Sequence, residues 1–237
     1  MMPELNNSPV QFPTQLPLGI TLPDSASFSN FLPGDNAAVL ASLQSLTEPL
    51  IYIWGKPGTG KTHLLQATCA ATLEHEQPTA WLPLQRAAEF TPDILAGWEN
   101  LPLVCLDDIH AVAGQAPWEQ AMFNLYNGLR ERGGRLIVTA NTAAATLKLR
   151  LPDLQSRLSH GLVFQLQELN DNDKCLALWA RAERRGFDLP DDTANYLLTR
   201  YQRDMTSLCQ LLDVLDSASL SEQRRLTIPF VKKVLPA

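Results

Sequence analysis

The clearest chemistry in the chain lies in Gly55-Lys56-Pro57-Gly58-Thr59-Gly60-Lys61-Thr62, which matches G-x-x-x-x-G-K-[ST] at every fixed position. The glycines let successive backbone N–H groups turn inward as an anion nest at a helix N-terminus. Lys61 would neutralise phosphate oxygens, and the Thr62 hydroxyl can ligate Mg²⁺. A phosphate loop of this kind needs a carboxylate at the end of a neighbouring strand, and Leu103-Val104-Cys105-Leu106-Asp107-Asp108 supplies one. Asp107 is the expected metal-side carboxylate, and Asp108 the group expected to orient or activate a water.

Three further side chains could act on the same phosphates. Asn141, at the end of a strand, could place its amide near the outermost phosphate or the attacking water. Arg157, in Leu154-Gln155-Ser156-Arg157-Leu158, could be offered as a cation to a phosphate on another subunit. Arg203 could fold back towards the phosphates from the start of a helix, or could be an ordinary helix-start arginine.

These residues need a scaffold, and the apolar pattern provides one. Strands are expected at 50–54, 79–83, 103–106, 135–139 and 162–166, with helices between them from Asp35, from Lys61 to near His75, at Pro92, and from Trp118 to Arg132, where Gly133-Gly134 stops the run. Strands alternating with helices imply an α/β fold with a mainly parallel sheet covered on both faces. After about residue 167 only helical signals remain: Asp171 to Arg185, a helix opened by Pro190-Asp191, Asp204 to Ala218, and Pro229 to Leu235. The expected organisation is an extended arm over 1–34, a nucleotide-binding domain over 35–166 and a small helical domain over 167–237.

The arm holds Pro3, Pro9, Pro13, Pro17, Pro23 and Pro33, which keep the backbone extended. Within it, Gln15-Leu16-Pro17-Leu18-Gly19-Ile20 sets apolar side chains at Leu16, Leu18 and Ile20 beside Gln15, a pattern that could dock into a partner's pocket with few residues. No Lys or Arg precedes Lys56, and the 237-residue chain carries a net charge of −6, which speaks against a protein whose main business is coating nucleic acid. The start lacks the basic and apolar regions of a secretory signal, and no apolar run approaches a membrane span, so the expected location is the cytoplasm. Cys69, Cys105, Cys175 and Cys209 are widely spaced and suggest buried thiols rather than a zinc site or disulfides.

With these pieces in place the sequence resembles the AAA+ family and, within it, the bacterial initiators of the DnaA type with their shorter Hda-type relatives. Phe28-Ser29-Asn30-Phe31 followed by Gly34 is similar to the segment that borders the base in that group, which makes Phe31 a nucleotide-binding residue by resemblance. Asp107-Asp108-Ile109-His110 resembles the metal-binding strand, Ser156-Arg157-Leu158 the arginine-finger box, Asn141 the sensor 1 position and Arg203 the sensor 2 position. The resemblance implies an AAA+ domain with a small all-α lid, holding ADP or ATP with Mg²⁺.

Two features point to the Hda-type branch. The chain stops soon after Leu226-Thr227-Ile228-Pro229-Phe230-Val231, so no DNA-reading helix-turn-helix domain is expected, and Gln15-Leu16-Pro17-Leu18 is similar to that branch's sliding-clamp-binding motif. The implied partners are the polymerase sliding clamp (its beta subunit), the DnaA initiator and, through the clamp, DNA, with self-association in response to nucleotide also open. The implied work is to activate ATP hydrolysis by DnaA, with ADP the favoured ligand, rather than efficient turnover by the chain itself. An autonomous AAA+ ATPase of helicase-loader type would use the same loop and carboxylates, and steady turnover without DnaA would distinguish it.

Overall fold

A computed structural model describes residues 26–235. Five parallel strands, β1 (Leu50–Trp54), β2 (Thr79–Pro83), β3 (Leu103–Asp107), β4 (Arg135–Ala140) and β5 (Leu162–Gln165), form one sheet in the order β2-β3-β4-β1-β5. The inner strands are nearly continuous apolar runs because both faces are covered, whereas β5, at an edge, alternates between partly buried and exposed residues. Helices α1 (Ala37–Ser45), α2 (Lys61–Glu74), α3 (Ala116–Arg132) and α4 (Pro152–His160) flank the sheet. One face buries Ile51, Ile53, Cys105 and Ile137 under Val39, Leu43, Leu64 and Leu65 of α1 and α2. The other buries Tyr52, Val104, Leu106, Leu136 and Val138 under Met122, Leu125 and Leu129 of α3 and Leu154 and Leu158 of α4.

The helix boundaries follow local chemistry. Pro117 and Pro152 sit in the first turns of α3 and α4, where their missing N–H costs nothing, and Gly133 ends α3 in the left-handed conformation at φ 75°. Helix α4, which carries Arg157, has no counterpart among the helices expected from the sequence. Its loop is anchored by Glu119, wholly buried in the first turn of α3, whose Oε2 accepts the backbone N–H groups of Arg150 and Leu151, both at 2.8 Å, while Oε1 accepts that of Gly114 at 2.7 Å.

Beyond β5, helices α5 (Asp171–Arg184), α6 (Asp191–Arg200), α7 (Met205–Glu222) and α8 (Ile228–Val234) form a small bundle around Leu178, Ala194, Leu197, Leu208, Leu212, Leu215 and Val231. Side-chain caps from Asn170 and Asp204 open α5 and α7. Arg181 on α5 and Arg185, just past its end, pair with Asp213 on α7 at 3.0 and 2.9 Å. Buried Asn36 ties the start of the described chain to the connection that leads into the bundle: its Nδ2 donates to the Gln167 carbonyl at 3.0 Å and its Oδ1 accepts the Gln167 N–H at 2.7 Å. Among the described residues no helix is long and apolar enough to cross a membrane.

Replacing Glu119 by Ala would strand three backbone N–H groups, at about 1 to 3 kcal/mol for each left buried without a partner. Glu119→Ala is expected to lower unfolding stability by about 3 kcal/mol or more, with Glu119→Gln intermediate because its amide oxygen still accepts. Urea titration followed by circular dichroism checks this, and a loss under about 1 kcal/mol would show that the loop before α4 does not depend on that carboxylate.

Candidate nucleotide-binding site

The loop from Gly55 to Gly60 leaves β1 at its C-terminal end and opens α2, next to the point where the sheet order reverses between β4, β1 and β5. Gly58 and Gly60 take φ of 77° and 94°, and each is crowded as well. A Cβ at Gly60 would lie 2.8 Å from the Phe31 ring, and one at Gly58 would lie 2.8 Å from the Cβ of Asp204. Thr59 Oγ1 closes the turn by donating to the Lys56 carbonyl at 2.9 Å. Lys61 is buried, and its ammonium donates to the Gly55 and Lys56 carbonyls at 2.8 and 2.9 Å. Burial pulls its pKa down, while Asp108 and Asp107 work in the opposite direction.

Asp107 is the node of the site. Its Oδ2 accepts the Thr62 hydroxyl at 2.7 Å and its Oδ1 the Thr139 hydroxyl at 2.5 Å. Thr139 Oγ1 in turn accepts the backbone N–H of Asp108 at 2.9 Å, so α2, β3 and β4 are joined by one hydroxyl and carboxylate chain. Burial lifts the Asp107 pKa above its ordinary 3.8, against the lowering effect of the two hydroxyls. Asp108 is held in the left-handed region at φ 57°, where its Oδ2 accepts from Gln85 Nε2 at 2.7 Å and its Oδ1 lies 3.8 Å from His110 Nδ1.

Two adjoining hollows make up the cleft. The first, about 540 Å³, is lined by Pro57, Gly58, Gly60, Lys61, Thr62, Asp108 and Asn141 on the sheet side and by Asp204, Thr206 and Ser207 from the start of α7. Its shape and polar walls suit phosphates. The second, about 330 Å³, has Phe31, Gly60 and His63 on one side and Ala177, Arg184, Met205 and Cys209 on the other, a mixed wall suited to a base and sugar. The Phe31 and His63 rings are 5.7 Å apart. Burial lowers the His63 pKa, and its Nε2 faces the Ser27 carbonyl at 3.1 Å; since a carbonyl only accepts, the neutral ring carries its proton on Nε2.

The cleft thus brings together Phe31, Gly55 to Thr62, Asp107, Asp108 and Asn141. Lys56 contributes backbone only, its side chain turning outward to Glu168 at 2.8 Å. Arg203 does not line either hollow. Asp204 takes the capping position of α7, which leaves Arg203 outside the helix and paired with Asp171 Oδ2 at 3.5 Å in a side groove with Lys56 and Lys174. Arg157 is also outside the cleft: it is exposed on α4, 6.0 Å from the Tyr126 ring, beside Leu50 at the opposite end of β1 from the loop. Gln15, Leu16, Leu18 and Ile20 lie outside the described residues. The four cysteines are free, three of them buried.

Thr139, Gln85, Thr206 and Asp204 were not singled out by the sequence. The only signal for Thr139 is a polar residue inside an otherwise apolar strand, and for Asp204 a capping residue before a helix. Thr62 and Asp107 offer a hydroxyl and a carboxylate, an oxygen-only pair that fits a hard divalent cation shared with phosphates. Among the described residues no cluster of three or more His, Cys, Asp or Glu could hold a metal by itself.

The family model for the bacterial DnaA ATPase domain matches residues 23–165, more than half of the sequence. The chain is an AAA+ protein of the DnaA ATPase-domain family. The model for the Hda lid domain matches residues 171–235, so the helical bundle is the lid. Domain III of Thermotoga maritima DnaA superposes with a TM-score of 0.77 at 17% identity, covering 90% of this chain and 97% of that one. AMPPCP-bound DnaA from Aquifex aeolicus gives 0.68 at 19% identity, covering 86% and 69%. The Thermotoga maritima RuvB branch migration motor gives 0.65 at 16% identity, covering 89% and 71%, so the same AAA+ architecture extends beyond DnaA.

The raised pKa of Asp107 fixes a sign. Between about pH 4, the unfolded value, and its folded value, the folded protein holds the extra proton, so nucleotide-free protein loses stability as pH rises through that window. Asp107→Asn is expected to remove this slope and to raise the melting temperature of nucleotide-free protein at neutral pH, while abolishing the Mg²⁺-dependent part of stabilisation by nucleotide. Thermal melts of both proteins from pH 4 to 8 test it; parallel curves would show that Asp107 is not the group titrating.

Proposed function

We propose that this AAA+ protein is a negative regulator of replication initiation: a nucleotide-bound partner that docks on the DNA-loaded sliding clamp through Gln15, Leu16, Leu18 and Ile20 and stimulates hydrolysis of the ATP held by DnaA. The observation that carries the reading is the separation of Arg157 from the protein's own cleft, at the far end of β1 and exposed. A guanidinium so placed is of no use to its own nucleotide and is available to a phosphate bound elsewhere. In the protein's own cleft ADP is the favoured ligand. Mg²⁺ would be held by Thr62 and Asp107 and would offset phosphate charge. Asn141 and Asp108 would face the outermost phosphate, and Phe31 the base. Arg157 would stabilise the negative charge that spreads over the phosphoryl group as it transfers on DnaA, using a fixed fork of donors and a permanent charge.

Arg157→Ala is expected to lower stimulation of DnaA by about 10³-fold or more without altering the protein's own nucleotide affinity. Hydrolysis of labelled ATP preloaded on DnaA, in the presence of clamp and DNA, measures it, and stimulation near the wild-type rate would refute the trans role. Leu16→Ala combined with Leu18→Ala removes apolar surface worth up to about 1.5 to 3 kcal/mol per side chain when fully buried, so co-elution with the clamp should be lost while nucleotide affinity is retained; persistent co-elution would locate clamp binding elsewhere. The presence of Lys61, Asp107, Asp108 and Asn141 around one cleft favours a second reading, an autonomous ATPase, which predicts steady turnover without DnaA.

A further inference from the structure

The lid presents polar side chains to the phosphate hollow, and its one charged group there is an acid. Among the described residues lining it, Lys61 is the one Lys or Arg, while the lid wall consists of Asp204, Thr206 and Ser207, two hydroxyls and a carboxylate. Asp108 lines the opposite side, and Asp107 stands behind Thr62. The arginine next to Asp204 is turned to Asp171, outside the hollow.

Asp204 is also fixed in place. Its Oδ1 accepts the Ser207 N–H at 2.9 Å as the cap of α7, and a Cβ built on Gly58 would lie 3.0 Å from that same oxygen, so the carboxylate rests against the phosphate loop itself. A neighbour at Gly58 with any side chain would push it away; glycine lets lid and loop touch. Burial raises the Asp204 pKa, but the hydrogen bonds from Ser207 and the adjoining backbone outweigh it and hold the group below the ordinary carboxylate range. At neutral pH the lid therefore sets a negative charge beside the loop.

We propose that Asp204 is a specificity-determining residue: its carboxylate, locked onto the phosphate loop by the cap of α7, disfavours the added charge of a third phosphate and so selects a nucleoside diphosphate over a triphosphate. This rests on the reading of the cleft as a nucleotide site and adds to it the physical cause of the ADP preference. Thr206, which lines both hollows, supplies no charge to cancel the effect.

The test is calorimetric titration of the full chain with MgADP and MgATP, comparing wild type with Asp204→Asn. Asparagine caps a helix as well as aspartate does, so α7 keeps its start while the charge is removed. The ratio of ATP to ADP affinity is expected to rise about tenfold, equivalent to about 1.4 kcal/mol, chiefly through tighter ATP. Thr206→Arg, which sets a cation beside the same carboxylate, should move the ratio in the same direction and does not touch the cap. An unchanged ratio in both variants, with nucleotide still bound, overturns the role of Asp204 and leaves the nucleotide site standing. Failure of the wild-type protein to bind either nucleotide overturns the site itself, and this inference with it.

Discussion

Everything in the cleft hangs on the buried carboxylate of Asp107. The loop strand β1 and the acidic strand β3 are not neighbours; β4 lies between them. Adjacent strands are about 4.8 Å apart, so Asp107 must reach across roughly twice that distance to meet the helix that β1 feeds. Thr139 on β4 and Thr62 on α2 make the reach possible, one hydroxyl donating to each carboxylate oxygen. Thr139 then accepts from the Asp108 backbone and turns the end of β3 into the cleft. A wholly apolar β4 would leave Asp107 with half its partners and Asp108 without its backbone anchor.

Two other buried polar groups do comparable work at a distance. Glu119 uses three backbone N–H groups to fix the chain before α4, and so sets where Arg157 is displayed. Asn36 brackets Gln167 at the passage from sheet to lid, with a donor and an acceptor that only an amide supplies at that size. Glu119 lies away from the cleft, whereas Asn36 lines its second hollow. Both restrict the elements around the site, and their hydrogen bonds are what make their burial tolerable.

Much of this was readable in the residues. The strand, loop and helix around Gly55 to Thr62 declare themselves because glycine and lysine spacing has few other uses, and continuous apolar runs such as Leu50 to Trp54 allow no other element in so short a length. Helix α4 was missed because Pro152 opens it after an irregular loop and its partner, Glu119, is thirty residues upstream on a surface-like sequence position. Arg203, which from the sequence could fold back towards the phosphates or be an ordinary helix-start arginine, stands one residue before the cap Asp204, outside α7, and pairs with Asp171 in a groove that also includes Pro57 and Gly58 of the loop. Thr139 and Gln85 matter through long-range partners, which no local pattern announces.

The placement of Arg157 and of the phosphate loop at opposite ends of β1 has a geometric consequence for any assembly built on the proposed function. A contact that brings Arg157 of one chain to the cleft of another joins unlike surfaces, so it is directional, and in a pair it leaves one loop and one arginine unused. A twofold pairing of identical chains would not bring them together through one self-complementary patch. Regulation by such a contact therefore depends on delivering the protein to its partner in the right order and orientation.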